Sequence, residues 1–128
     1  MPKSDFAEVT AVIANYFDGL YNSDAALLGE VFHPKATYAC ATEGKLTYMT
    51  MEDYLPMVAK RRSPASKGET RTDAIEAIEF AGPVTAFVRA RCSIAPRDFT
   101  DFLTLIQIDG RWQIIAKVFH FETADERG

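Results

Sequence analysis

The sequence predicts an α+β domain in which helices come first and a curved antiparallel sheet follows. Apolar residues from Phe6 to Leu20 recur at helical spacing near the start of the chain. From residue 71 onward the pattern alternates as strands do. Between two long strand-like runs stands Asp109-Gly110, the pair that a tight two-residue hairpin turn favours.

Length and composition favour a soluble globular protein with a small-molecule partner. The 128 residues fit one domain spanning residues 1–128, and 48% of them are hydrophobic. A net charge of −4 argues against nucleic acid or an anionic membrane as the main partner. The 12% aromatic share supplies side chains that fill cores or line ligand cavities.

The two cysteines, Cys40 and Cys92, are too few for a disulfide framework, and no Cys/His cluster indicates a metal. We therefore expect free thiols, no metal and no cofactor. The first residues lack the apolar run of a signal peptide, and no stretch approaches the ~20 apolar residues of a membrane span. These observations predict a cytoplasmic protein without a membrane partner.

The first half of the chain reads as three helices with short strands between them. The first helix is predicted at residues 5–22, with Asp5 near its cap, and the second around residues 27–32, ended by His33-Pro34. A strand at 37–41 and a returning partner at 46–48 follow. A capping box of Thr50 and Asp53 opens a third helix that ends near residue 62.

In the second half, strands are predicted at residues 73–80 and 84–94, then at 99–108 and 111–121 on either side of the Asp109-Gly110 turn. Counting outward from that turn places Asp101 opposite Val118, and His120 opposite the residue two positions before Asp101. Asp101 and His120 thus become diagonal neighbours on the inward face, within ~8 Å of each other.

A carboxylate and an imidazole at the end of an otherwise apolar face suit acid–base chemistry or polar recognition, so Asp101 and His120 are the candidate catalytic residues. The alternative is a structural pair that closes the sheet edge. The same count buries Trp112 and Ile114 beneath the first helix. The opposite face mixes polar groups with apolar ones and predicts a homodimer interface; its apolar members are Phe102, Ile106, Ile115 and Phe119.

Four further side chains are candidate ligand contacts: Tyr16, Tyr54, His33 and Trp112. Tyr16 and Tyr54 lie on helices that should face a cavity, although satisfied core tyrosines are as common. His33 could transfer protons or cap the carbonyls of its helix. The run Lys60-Arg61-Arg62 could attract an anionic ligand, or form a solvated helix end that complements the helix dipole.

The order and spacing of several short segments carry a family resemblance. The segments are Leu20-Tyr21-Asn22-Ser23-Asp24, Phe32-His33-Pro34-Lys35-Ala36, Phe99-Thr100-Asp101-Phe102-Leu103 and Asp109-Gly110-Arg111-Trp112-Gln113-Ile114. Together they resemble the nuclear transport factor 2-like superfamily. The combination of Lys117-Val118-Phe119-His120 with the Phe99-Thr100-Asp101 segment resembles its lumazine-binding branch. The resemblance implies a cone of three helices packed on a strongly bent mixed sheet, with a cavity between them, and a homodimer formed through the sheet.

Three functions remain open from the sequence, because one fold of this kind hosts many activities. The first is a protein that binds a small organic ligand without catalysis. The second is a cofactor-independent isomerase, dehydratase or hydrolase that uses Asp101 and His120 as acid and base. The third is a dimerisation module whose pocket is incidental.

Overall fold

The computed structural model describes residues 4–123, in which three helices pack on a six-stranded sheet. The helices are α1 (Asp5–Asn22), α2 (Ala25–Val31) and α3 (Met51–Lys60). The strands are β1 (Phe32–Cys40), β2 (Thr47–Thr50), β3 (Ala74–Phe80), β4 (Thr85–Ile94), β5 (Arg97–Ile108) and β6 (Arg111–Thr123). Within this described part, no helix is long and apolar enough to cross a membrane.

Helix α1 has the bounds that its apolar periodicity predicts, and its cap lies one residue earlier than expected. Ser4 is the N-cap, and its hydroxyl accepts a hydrogen bond of 3.1 Å from the backbone N–H of Ala7. Asp5 instead occupies the first turn, where its negative charge complements the helix dipole. The helix ends at Asn22, and the next residue, Ser23, caps it in a left-handed conformation.

The segments after α1 differ from the prediction at three points. Helix α2 starts earlier than expected, because Asp24 caps it by accepting from the N–H of Leu27. Strand β1 begins at Phe32, five residues before the predicted start, and it runs through Pro34. The predicted capping box of α3 is not formed, since the Thr50 hydroxyl donates to the Asp53 carboxylate at 3.3 Å.

The sheet is mixed and mostly antiparallel, in the order β2-β1-β6-β5-β4-β3, and this confirms the predicted fold class. Strands β1 and β6 pair in parallel, and the other neighbours pair antiparallel. The main core combines one face of each helix with the inward residues of β1, β4, β5 and β6. Trp112 and Ile114 are buried in it with Ile13 and Phe17, as the sequence predicts.

The β5–β6 hairpin follows the predicted register near its turn and departs from it farther away. Asp109 and Gly110 both have positive φ, 52° and 75°, as the two-residue turn requires. Leu105 pairs with Ile114 as predicted, but the next pair is Thr104 with Ala116. Ile115 is therefore an extra residue in β6, a β-bulge. Beyond it, every inward and outward position of β6 is exchanged relative to the simple count.

Candidate functional site

The bulge at Ile115 determines which charged side chains of β6 face the core. Lys117 pairs with Leu103 and turns inward, where it is only 6% exposed. His120 pairs with Thr100 and turns outward, with 61% of its side chain exposed. The prediction that Asp101 and His120 share the inward face is therefore wrong, because the count of paired residues did not include the extra residue.

His120 instead takes part in a surface cluster at the end of the sheet. Its Nδ1 lies 3.0 Å from the hydroxyl oxygen of Thr42, and its Nε2 lies 3.9 Å from a carboxylate oxygen of Glu122. The Thr42 hydroxyl also accepts a hydrogen bond from the backbone N–H of Phe121. These contacts hold the imidazole on the outer face, where it cannot act on a group that reaches Asp101 from the interior.

Asp101 lies on the inward face of β5 and is fully buried. One carboxylate oxygen, Oδ2, accepts a hydrogen bond of 2.5 Å from the hydroxyl of Tyr16 on α1. Burial first, and the neighbouring Asp101 second, raise the pKa of Tyr16 well above its ordinary value, so the phenol keeps its proton and donates it. The other oxygen of Asp101, Oδ1, has no hydrogen-bond partner in the described chain.

Lys117 supplies a cation on the same inward face, surrounded by aromatic rings. Its Nζ lies 5.1–5.6 Å from the ring centres of Tyr16, Tyr38, Tyr54 and Phe119. These distances are those of cation–π interactions. Burial alone would lower the pKa of Lys117, but interactions with Tyr54 and Asp101 outweigh it and raise that pKa. The ammonium group therefore stays charged inside the protein.

Tyr54 on α3 completes the set, and its ring packs 4.9 Å from the ring of Tyr38 on β1. Its hydroxyl is buried and, among the described residues, has no hydrogen-bond partner. We refer to Tyr16, Tyr54, Asp101 and Lys117 as the inner polar cluster. It contains two buried oxygens without partners, which is unusual in a native core.

Cys92 is close enough to the inner polar cluster to be influenced by its charges, and it also borders the surface. Burial first, and then the charge of Asp101, raise the pKa of its thiol to about 12, so the group is protonated at neutral pH. The same residue lines a surface pocket of about 320 Å³ with side chains of β3 and β5. Within residues 4–123, no group of three His, Cys, Asp or Glu side chains is arranged to hold a metal ion.

The remaining predicted ligand contacts lie in other surroundings. His33 stands at the start of β1, and its Nδ1 accepts a local hydrogen bond of 3.0 Å from the N–H of Lys35. Trp112 lies in the core near the hairpin turn, and its indole N–H points to Asp5 at 3.4 Å. It also borders a cleft of about 270 Å³ between α1, α2 and that turn. Neither residue was found among the contacts of the inner polar cluster.

Sequence reasoning missed Lys117, which has the most unusual environment of the site. A signal for it is present, because the adjacent Ile114 and Ile115 cannot both face the core of a regularly alternating strand. A lysine two residues later, inside an otherwise apolar run, is a second sign that the alternation changes there. Both signs are consistent with the bulge that the structure contains.

Comparison with known proteins agrees with this architecture. The chain is 27% identical over 119 residues to a protein of Cladobotryum sp. named Aldolase FrzH, covering 91% of each chain. A protein from Silicibacter pomeroyi, described as NTF-2 like and of unknown function, superposes with a TM-score of 0.79 at 26% identity, covering 91% of this chain and 95% of that one.

An NTF2-like protein of unknown function from Shewanella baltica superposes with a TM-score of 0.83 at 21% identity. That match covers 96% of this chain and 100% of the other, and at this identity it speaks for the fold alone. Residues 4–120 match the family described as "Putative lumazine-binding". The chain therefore belongs to this family, within the nuclear transport factor 2-like superfamily.

Proposed function

We propose that this protein binds a small organic molecule in its interior, with the inner polar cluster as the polar end of the site. One observation carries the proposal: Asp101 Oδ1 and the Tyr54 hydroxyl are buried and unpartnered in the described chain. Leaving such groups unsatisfied costs about 1–3 kcal/mol each. A ligand that accepts from Tyr54 and donates to Asp101 would offset this cost.

The cluster also defines the chemistry of a suitable ligand. The Lys117 ammonium and the Tyr54 hydroxyl are donors, so they suit a carbonyl oxygen, whereas Asp101 Oδ1 suits an O–H or N–H. The rings of Tyr38 and Phe119 favour a flat apolar body beside these groups. Lumazine, which the family description names, is a flat bicyclic heterocycle with ring carbonyls and N–H groups, and so has these features.

The test compares the wild type with Tyr54→Phe in calorimetric titrations with lumazine and with a panel of flat carbonyl heterocycles. Tyr54→Phe removes an unpartnered hydroxyl, so the free energy of unfolding should stay the same or rise by up to ~1 kcal/mol. Affinity should fall about five- to tenfold, which is the loss of one hydrogen bond to a ligand. Lower stability with no ligand binding would mean that the hydroxyl is structural.

A second candidate function, proton transfer on a carbonyl compound, is favoured by the relative named Aldolase FrzH. Asp101 Oδ1 would take a proton from the carbon beside the carbonyl, and Lys117 with Tyr54 would stabilise the enolate oxygen. His120 has no part in this version, because it lies on the outer face. Incubation of ketones in D₂O would reveal exchange at that carbon by NMR, and Asp101→Asn should abolish it. Exchange that survives in this variant would exclude Asp101 as the base.

We also infer a homodimer formed through the outer face of the sheet. Phe102 and Val118 are 47% and 53% exposed there, beside a pocket of about 210 Å³. Phe119, which the sequence predicts on this face, is turned inward by the bulge, and Val118 takes its place. A stable interface should bury more than ~1,000 Å² in total.

Light scattering should give a dimer mass for the wild type and a monomer mass for Val118→Lys. Val84→Lys is the matched control, since Val84 is also an exposed valine but lies at the β3–β4 turn. A wild type that is monomeric at micromolar concentration would contradict the interface. A dimer that binds none of the ligands would favour the dimerisation module with an incidental pocket.

A further inference from the structure

Arg61 follows the last residue of α3 and differs from its two basic neighbours. Lys60 and Arg62 are exposed, whereas Arg61 is partly buried and caps the helix, its backbone N–H donating to the carbonyl of Val58. Two guanidinium nitrogens of Arg61, Nε and Nη2, are buried and have no hydrogen-bond partner among the described residues. The basic run of the sequence is therefore not simply a solvated helix end.

The two unpartnered nitrogens lie on the same edge of the guanidinium group, and this determines which acceptor fits them. The N–H bonds of Nε and Nη2 point in the same direction from that edge of the plane. That edge fits the two oxygens of a carboxylate in a pair of parallel hydrogen bonds. A planar cation that is partly buried with this edge unpartnered lacks the acceptor that its geometry favours.

The position of Arg61 relates it to the inner polar cluster. Tyr54, Val58 and Arg61 are spaced four and three residues apart, so they follow one face of α3, on which Tyr54 and Val58 are buried. Seven residues of helix correspond to about 10 Å along the axis. Burial raises the pKa of the Tyr38 phenol and of the Cys92 thiol, and the charges of Lys117 and Arg61 oppose that rise at both groups. Both cations thus act on the same region of the interior.

We propose that Arg61 determines specificity by binding a carboxylate of the ligand whose carbonyl end lies at Tyr54 and Lys117. The ligand class is then a flat carbonyl compound that carries a carboxylate about 10 Å from its carbonyl oxygen. This inference rests on the proposed ligand site and adds the group recognised at its outer end. Neither Lys60 nor Arg62 contributes to this recognition, because both are exposed.

The experiment uses two flat probes that differ only in the group opposite the ketone, (E)-4-acetylcinnamate and its neutral amide, (E)-4-acetylcinnamamide. The vinyl spacer in both places this group at about the distance from the ketone oxygen that the proposed ligand class requires. Dissociation constants are measured by calorimetry for the wild type, Arg61→Met, Arg61→Lys and the matched control Arg62→Met. The wild type should bind the acid at least about tenfold more tightly than the amide, as expected for a charge-assisted pair of hydrogen bonds.

Arg61→Met should remove this preference, mainly by weakening binding of the acid. Arg61→Lys should restore only part of it, because an ammonium is a point charge without the planar fork. Arg62→Met should behave like the wild type. Equal binding of both probes to the wild type, or a preference that survives in Arg61→Met, overturns the role of Arg61 and leaves the ligand site standing. If neither probe binds at millimolar concentration, the ligand site fails for this class of compound, and the inference fails with it.

Discussion

The two halves of the β5–β6 hairpin are built from the same two strands and have different interiors. In the half next to the turn, Leu105 pairs with Ile114, and the fully buried inward side chains are apolar. In the half beyond Ile115, Leu103 pairs with Lys117, and the inward face carries the buried charges of Asp101 and Lys117. A single extra residue separates these two regions.

The difference shows how one strand can have both an apolar and a charged stretch on its inward face, since β6 pairs with β5 on both sides of the bulge. The half next to the turn excludes water and contributes mainly to stability, because its buried groups are apolar. In the other half, the bulge exchanges the inward and outward positions of β6, so that a lysine replaces an apolar side chain inside. Polar groups in such a position cost stability and are therefore good candidates for function.

Among the substitutions that test this difference, Trp112→Ala in the half next to the turn should have the largest effect on the free energy of unfolding. Trp112 is buried in the main core and contacts the ring of Phe80, so its truncation should lower the free energy of unfolding by ~3–5 kcal/mol. Urea denaturation measures the loss. The control Val84→Ala, at an exposed valine in the β3–β4 turn, should change it by less than ~1 kcal/mol. A similar loss in both variants would contradict the conclusion that the half next to the turn contributes mainly to stability.

Lys117→Met, in the half of the hairpin beyond the bulge, should have an intermediate effect on the free energy of unfolding. Methionine keeps the length of the side chain and favourable contacts with the rings, so the substitution mainly removes the charge near Asp101. Without this cation the buried carboxylate is less stable, and the free energy of unfolding should fall by ~2 kcal/mol.

The double variant Lys117→Met with Asp101→Asn should lose less than the sum of the two single variants, because neither charge then remains alone. Urea denaturation of all four proteins gives this coupling. Strictly additive losses would mean that Lys117 and Asp101 do not stabilise each other.

The smallest expected effect is a difference in how the free energy of unfolding depends on pH. It tests the burial of the Cys92 thiol and the nearby charge of Asp101. The folded thiol has its pKa raised from 9.0 to about 12, so above pH 9 the folded protein holds a proton that the unfolded chain releases. The stability contributed by this protonated thiol is therefore lost as pH rises from 9 towards 12. Between pH 8 and pH 10.5, the wild type should lose stability more steeply than Cys92→Ala. If both proteins lose stability equally steeply with pH, the thiol is more exposed to solvent than the structure indicates.

Much of the fold follows from local patterns in the sequence, and the departures have local causes. The periodicity of α1 and the Asp109-Gly110 turn depend on neighbouring residues, so both could be predicted. Strand β1 can run through Pro34, which lacks an N–H, because Pro34 is in neither ladder: β1 pairs with β6 at Phe32 and again from Thr37, and with β2 from Thr37. This tolerance depends on the neighbouring strands and has no signal in the residues themselves.

The site was predictable only in part, for a related reason. Tyr16, Tyr54 and Asp101 were identified as candidates from the faces on which they lie. Their partners could not be identified, since the bond between Tyr16 and Asp101 joins residues 85 positions apart. Ile114 and Ile115 are equally apolar, so composition does not indicate which of them leaves the alternation. The presence of an extra residue, at either position, decides that Lys117 faces inward in place of Val118.

The place of β6 in the sheet has a consequence for how the molecule assembles. It is the last strand of residues 4–123, yet it lies between β1 and β5, which have no direct pairing with each other. Until residues 111–123 have left the ribosome, β2-β1 and β5-β4-β3 are two separate ribbons, each with an open edge that another chain could pair with. Contacts this distant in sequence slow folding to milliseconds or longer. Arrival of β6 would then join both ribbons in one late event, which at the same time encloses Lys117.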